Sequence, residues 1–344
     1  MKTTKASVLS PFSTSFLSMV NYTEHTVKLP DGIELLYTDS GAPNSASYTT
    51  LIVLHGSGFN GDGFVPLHEF AHRNDLRVIL WNRRDYRGST KYTDTELEDL
   101  AAGRKVFQDR LAMQLAWFLE HFIKHENTLK VSLDHKSGGF ILMGWSFGNA
   151  TTLSLLADPA VLPTALYETI EPYLRSFVLY DPPYTALGYE LPGKESVYDP
   201  LADPDCSTPE AIYDNFKHWV SSYYTHPDIA SGKSSDCEED LCGLDEIRAS
   251  CLRATHASDA ESAHEALLNE RLASSYFPKV NIFHIAGTKT CSYCMWGYME
   301  SSRLYKEAVG HGEKVRTTKF KLVAGGNHFV RNLTRPRLSA YLYG

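Results

Sequence analysis

Residues 140–156 read FILMGWSFGNATTLSLL: a strand-sized apolar run, a Gly-x-Ser-x-Gly turn, then apolar residues at helical spacing. No other feature constrains the fold as strongly. A strand that becomes a helix this abruptly passes through a bend so tight that a Cβ at either flank would meet neighbouring backbone. Gly144 and Gly148 answer that demand. The bend pushes the Ser146 hydroxyl out at the C-terminal edge of a sheet. The start of the helix behind it offers unpaired N–H groups to a developing oxyanion.

The rest of the 344-residue chain alternates short β-like runs with helical patterns, as a mostly parallel sheet flanked by helices requires. Glu24–Leu29 and Glu34–Thr38, joined by Pro30-Asp31-Gly32, predict a hairpin. Thr49–Leu54 and Leu76–Trp81 are two mainly apolar runs, the mark of strands covered on both faces. Phe107, Leu111, Leu115, Phe118 and Phe122 predict one helix over Glu96–His125. Further strands are expected at Gly139–Met143, Ser176–Tyr180, Val280–Ile285 and Thr318–Val323. Helices are expected at Phe147–Leu156, between the last two strands, and after the final one.

Residues 182–278 break this rhythm. They open on turn-formers, later show helical spacing over Ile212–Tyr224, and carry 18 acidic against 6 basic residues, a net −12 in a chain whose total is −8. Such a shift marks an inserted, mainly helical cap. The expected organisation is a flexible tail over 1–23, a core formed by 24–181 and 279–344, and the cap over 182–278.

With 43% apolar and 22% charged residues, the composition is that of an ordinary globular protein. No stretch approaches the roughly 18–20 apolar residues of a membrane helix, so no membrane partner is expected. A net charge of −8 argues against nucleic acid as a partner. The Ser/Thr-rich N-terminus lacks the apolar segment of a secretory signal and reads as the tail of a cytoplasmic protein. Oligomeric state is left open.

A serine is a weak nucleophile unless a base and an orienting carboxylate activate it. His328 is the best-placed base, because it follows the last strand and a Gly325-Gly326-Asn327 loop. Two strand ends could supply the acid. The stretch after Val280–Ile285 has no carboxylate until Glu300, whereas Asp181 stands at the tip of Ser176–Tyr180 and is preferred. The catalytic residues in chain order are then Ser146, Asp181 and His328. His55-Gly56-Ser57-Gly58 directly follows a strand, so the Ser57 and Phe147 amides are the expected oxyanion donors. His55 reads as a brace for that loop.

These pieces, with the Asp85-Tyr86-Arg87-Gly88-Ser89 turn, resemble the α/β-hydrolase superfamily in its serine-nucleophile branch, and within it fungal secondary-metabolism hydrolases. The resemblance implies an α/β-hydrolase fold over the core. It also implies a structural turn in which Asp85 and Arg87 form a loop-fixing ion pair. An acid after the sixth strand, not the commoner seventh, has precedent there. Serine at the elbow, in place of aspartate, disfavours the covalent mechanism of epoxide hydrolases and haloalkane dehalogenases.

Gly58, Phe59, Trp145, Phe147, Tyr184 and Phe329 flank the site in sequence and are candidates to line an apolar pocket. Cys291-x-x-Cys294 and Cys237-x4-Cys242 could be combined into a zinc site, but buried thiols acting as small apolar residues is the preferred reading. Neither a metal nor a cofactor is expected. The resulting expectation is a serine hydrolase for a small to medium apolar ester or lactone. Acyl transfer, cyclisation or C–C bond hydrolysis by the same triad is the enzymatic alternative. A slowly hydrolysing ligand-binding receptor is the other.

Overall fold

The computed structural model describes residues 21–190, 198–237, 240–241 and 261–329. Eight strands form the main sheet: β1 Thr23–Lys28, β2 Glu34–Asp39, β3 Thr49–Leu54, β4 Leu76–Trp81, β5 Phe140–Trp145, β6 Leu174–Tyr180, β7 Asn281–Gly287 and β8 Thr318–Val323. Their order is β1-β2-β4-β3-β5-β6-β7-β8. β2 runs antiparallel to β1 and β4, and every other pair is parallel. Strand order reverses between β3 and β5, so the C-terminal ends of these two strands border the crevice where open α/β sheets place ligands.

The mainly apolar strands are explained by layers on both faces. Alternate residues point to opposite sides. Ile52, Leu54, Leu142, Phe177 and Leu179 pack in one core with helices α2 Lys105–His125 and α3 Gly148–Ala157. Leu51, Val53, Ile141, Met143 and Val178 pack in a second core with Phe64 and Leu67 of the 3₁₀ segment Gly61–Phe70. Each such side chain contributes roughly 1.5–3 kcal/mol on burial.

The single helix expected over Glu96–His125 is two. Helix α1 covers Asp94–Ala101, opened by a capping box in which Thr93 and Glu96 satisfy each other's backbone amides. Gly103, at φ 63°, ends it before α2 begins. The remaining helices are α4 Thr164–Ile170, α5 Pro209–Ser221, α6 Glu261–Leu268, α7 Glu270–Ser275 and α8 Ser292–Gly310. Helix α5 starts earlier than Ile212 because the Thr208 side chain caps it and Pro209 opens its first turn. It also ends earlier, since Tyr224–Thr225 pairs with Asp240–Leu241 in a small antiparallel ribbon.

The insertion between β6 and β7 packs back onto the sheet layers: α6 lies against α3, and α7 then leads the chain into β7. Arg316, before β8, is buried and donates to the carbonyls of Ala266, Leu272, Tyr276 and Phe277, tying α6 and α7 to the last strand. No described helix is long and apolar enough to cross a membrane. Residues 1–20 of the expected tail and the helix expected after β8 lie outside the described residues.

Candidate active site

The end of β5 fixes Ser146 on left-handed backbone, at φ 54°. That conformation costs a non-glycine residue about 1–2 kcal/mol and must be held by its surroundings. Here the Ser146 amide donates to Tyr180 O at 3.0 Å, and Asn149 donates through its amide and side chain to Ser146 O at 3.1 and 2.8 Å. The flanking glycines are needed for space. A Cβ on Gly144 would lie 2.6 Å from Asn149 Cα, and one on Gly148 would lie 2.2 Å from Leu54 O.

The loop after β3 closes on the same point, since a Cβ on Gly56 would stand 2.6 Å from Ser146 Cβ. His55 holds this loop. Its Nε2 accepts from the Arg83 amide at 3.0 Å, so Nδ1 carries the proton and donates to Gly56 O at 2.9 Å. Burial pushes His55 down to about 3, keeping it neutral. Tyr86 adds a second brace, accepting from the Gly58 amide at 3.0 Å and donating to Gly56 O at 3.4 Å. Because the peptide is planar and trans, fixing the direction of the Gly56 carbonyl points the Ser57 N–H the opposite way. Among the described residues, the Ser57 and Phe147 amides have no acceptor.

Asp181 follows β6 at φ 50° and is fully buried. His328 Nδ1 donates to its Oδ2 at 2.7 Å, and the Gly287 amide donates to its Oδ1 at 3.2 Å. Thr290 Oγ1 also donates to Oδ2. A carboxylate this deep depends on those donors, because an unpaired buried charge is expensive. Committing Nδ1–H to Asp181 leaves Nε2 as the basic nitrogen of His328. Trp145, next to Ser146, donates from Nε1 to His328 O at 2.7 Å and lies 5.0 Å from the imidazole ring. The elbow and the histidine loop therefore meet.

Support for this pair comes from an unexpected direction. The residues after β7, which lack a carboxylate, supply two donors to the acid, from Gly287 and Thr290. They are laced to the histidine loop by Lys289 N to Gly326 O at 2.7 Å and Thr288 N to Val323 O at 3.0 Å. The insertion reinforces both. Asn327 Nδ2 donates to Ser221 O at 2.8 Å, Tyr224 N to Lys289 O at 3.1 Å, and His226 Nε2 to Thr290 O at 2.9 Å.

Of the candidate pocket residues, Phe59, Trp145 and Phe329 come together, with ring centroids 5.0–5.6 Å apart. Phe147 is half-buried beside Ser146. Tyr184 is elsewhere: it is buried against Met295, Trp296 and Met299, and faces Tyr293. The Gly58 amide is taken by Tyr86. Trp219, from the insertion, joins the cluster of Phe59 and Phe329 and went unnoticed in the sequence, where it is one aromatic in a helical pattern.

One expectation needs correction. Asp85 and Arg87 do not pair: Asp85 accepts from the Tyr92 amide at 3.0 Å, while Arg87 reaches Glu24 at 3.0 Å and Asp62 at 3.6 Å. Asp85 sits on left-handed backbone that turns its side chain into the loop. The four-cysteine alternative set aside in the sequence is not assembled among the described residues. Cys237 packs on Met299, Cys291 and Cys294 lie in a different cluster, and Cys242 is outside the described residues.

A model of the alpha/beta hydrolase family matches residues 51–336. The chain belongs to that family. Family members of known structure share its architecture at low identity. A bromoperoxidase from Bacillus anthracis superposes with a TM-score of 0.54 at 16% identity, covering 94% of this chain and 100% of that one. Epoxide hydrolase A from Mycobacterium thermoresistibile gives 0.52 at 14% identity, covering 94% and 97%. At such identities the likeness is one of fold. No curated protein matches the sequence.

Proposed function

We propose that this alpha/beta hydrolase is a serine hydrolase that opens a carboxylic ester or lactone of a small to medium apolar molecule through an acyl-enzyme. One observation carries the reading: the buried Asp181–His328 pair, at 2.7 Å, is joined through the Trp145–His328 bond to the elbow that holds Ser146 on left-handed backbone at the strand end. Ser146 Oγ adds to the acyl carbonyl as its proton passes to His328 Nε2. Asp181 holds the imidazolium, and the Ser57 and Phe147 amides receive the oxyanion. His328 then protonates the leaving alkoxide, leaving Ser146 acylated. Water, deprotonated by Nε2, adds to the ester, and collapse frees the acid and restores Ser146.

The Phe59–Trp145–Phe329 cluster supports an apolar substrate, admitted beneath residues 182–278 acting as a cap. Their net charge of −12 weighs against a polyanionic thioester. Intact-mass analysis after exposure to a fluorophosphonate tests the reading. One adduct is expected on the wild type and none on Ser146→Ala. Labelling of both proteins, or of neither, would remove the proposal.

A further inference from the structure

Two cysteines beside His328 play no part in that scheme. Cys291 occupies the position just before α8 and Cys294 lies in the helix's first turn, so the Cys-x-x-Cys spacing puts both sulfurs on one side of the helix start. Their Sγ atoms are 3.7 Å apart, in free thiols, and Cys294 Sγ is 3.4 Å from His328 Nδ1. Ligand atoms of Cys294, His328 and Asp181 all lie within 4.8 Å of one another, a grouping unique among the described residues.

We propose that Cys291, Cys294, His328 and Asp181 form a binding site for a thiophilic divalent cation, zinc or cadmium, and that filling it silences the enzyme. The metal site stands on its own; the silencing rests on the function proposed above. Tetrahedral zinc with Zn–S near 2.3 Å sets its sulfurs about 3.8 Å apart, and a sulfur and an imidazole nitrogen about 3.5 Å apart. The observed separations of 3.7 and 3.4 Å are already close to those edges. The His328–Asp181 contact must open from 2.7 Å to about 3.3 Å, and the Cys291 side chain, which lies outside the 4.8 Å grouping of the other three, must swing in to join them. Two thiolates, an imidazole and a carboxylate suit a soft d¹⁰ ion.

The step balances. Each thiol releases its proton, the metal bonds to both sulfurs, to an Asp181 oxygen and to His328 Nδ1, and the imidazole proton moves from Nδ1 to Nε2. The buried net charge is −1 before, from Asp181, and −1 after. The consequence for turnover is direct: Nε2 now carries the proton and cannot deprotonate Ser146 or water, and Asp181 no longer orients the ring. Because these four side chains are at most 2% exposed, loading should be slow.

The test uses the full chain, stripped with a chelator and kept reduced with a phosphine, then incubated with equimolar Co²⁺. A near-ultraviolet thiolate-to-cobalt band is expected in the wild type, together with the visible bands of tetrahedral cobalt. Cys294→Ser and Cys291→Ala should each lose the thiolate band or weaken it strongly. In parallel, equimolar Zn²⁺ should progressively abolish p-nitrophenyl ester turnover by the wild type, a chelator should restore it, and Cys294→Ser should keep its own turnover in zinc. A wild type without the band, or a band that survives in the Cys291→Ala/Cys294→Ser double variant, overturns the site. A band with undiminished turnover overturns the silencing. A band in a protein inert toward every ester leaves the site standing and counts against the hydrolase reading alone.

Discussion

Ser146 and Asp181 end neighbouring parallel strands, and both sit on left-handed backbone, at φ 54° and 50°. Two different kinds of scaffold hold them. The serine is fixed mainly by its own surroundings in sequence: Gly144, Gly148 and Asn149 all lie within four residues. The aspartate draws its donors from 106, 109 and 147 positions away. A locally built site leaves a spelling behind, in glycines at fixed offsets. A site assembled across the chain leaves only residues whose purpose emerges when the strands are laid side by side.

Breaking the distant scaffold at its centre should have the largest effect. Asp181→Asn keeps a residue that tolerates left-handed backbone but presents a side chain unable to hold the imidazolium. Ester turnover should fall by about 10⁴-fold with the fold retained, measured by kcat alongside circular dichroism. A loss below tenfold would move the acid elsewhere. The local scaffold should break differently, in stability. Gly148→Ala forces a Cβ to within 2.2 Å of Leu54 O and 2.8 Å of His55 O, so a loss of about 3 kcal/mol is expected in urea unfolding.

Thr290→Val sharpens the contrast. It removes one donor to Asp181 without changing shape. A hydrogen bond to a charged group is worth about 1.5–3 kcal/mol, so kcat should drop by about tenfold to a hundredfold with KM little changed. An unchanged kcat would show that Gly287 and His328 suffice.

The last effect concerns buried histidines and is spread over several pH units. Burial pushes His55 and His284 down to about 3 and His68 to about 4. The unfolded chain takes up protons near pH 6.5, where the folded chain stays neutral at these sites. Stability should therefore fall as pH drops from about 6.5 toward 4, by up to about 1.4 kcal/mol per unit for each histidine. His284 has no hydrogen-bond partner for either ring nitrogen among the described residues. His284→Phe should raise the melting temperature and reduce its acid sensitivity by about a third. Melting curves across that range decide it; an unaltered slope would refute the assignment.

Much of the frame was legible in the sequence because β3, β4, β5 and β6 are apolar on both faces, a pattern with few other uses. The break between α1 and α2 also had its signal in Gly103, masked by apolar spacing that continues on either side. Thr290, Tyr86 and Asn149 could not be read. Each is a single polar residue with no periodicity, and the role of Thr290 depends on β6 and β7 being neighbours. The stretch after β7 was noticed for lacking an acid, and it turns out to serve one. The family resemblance pairs Asp85 with Arg87, whereas a turn at φ 68° sends Asp85 toward the Tyr92 amide.

The bonds from Asn327 to Ser221 and from Tyr224 to Lys289 have a practical corollary for protein engineering. A chimera that imports the β6–β7 insertion from a relative also imports a new seat for the loops bearing His328 and Thr290. Selecting such chimeras for substrate preference will therefore select for catalytic alignment at the same time. Grafts that leave the Ser221 to Thr225 backbone untouched separate the two.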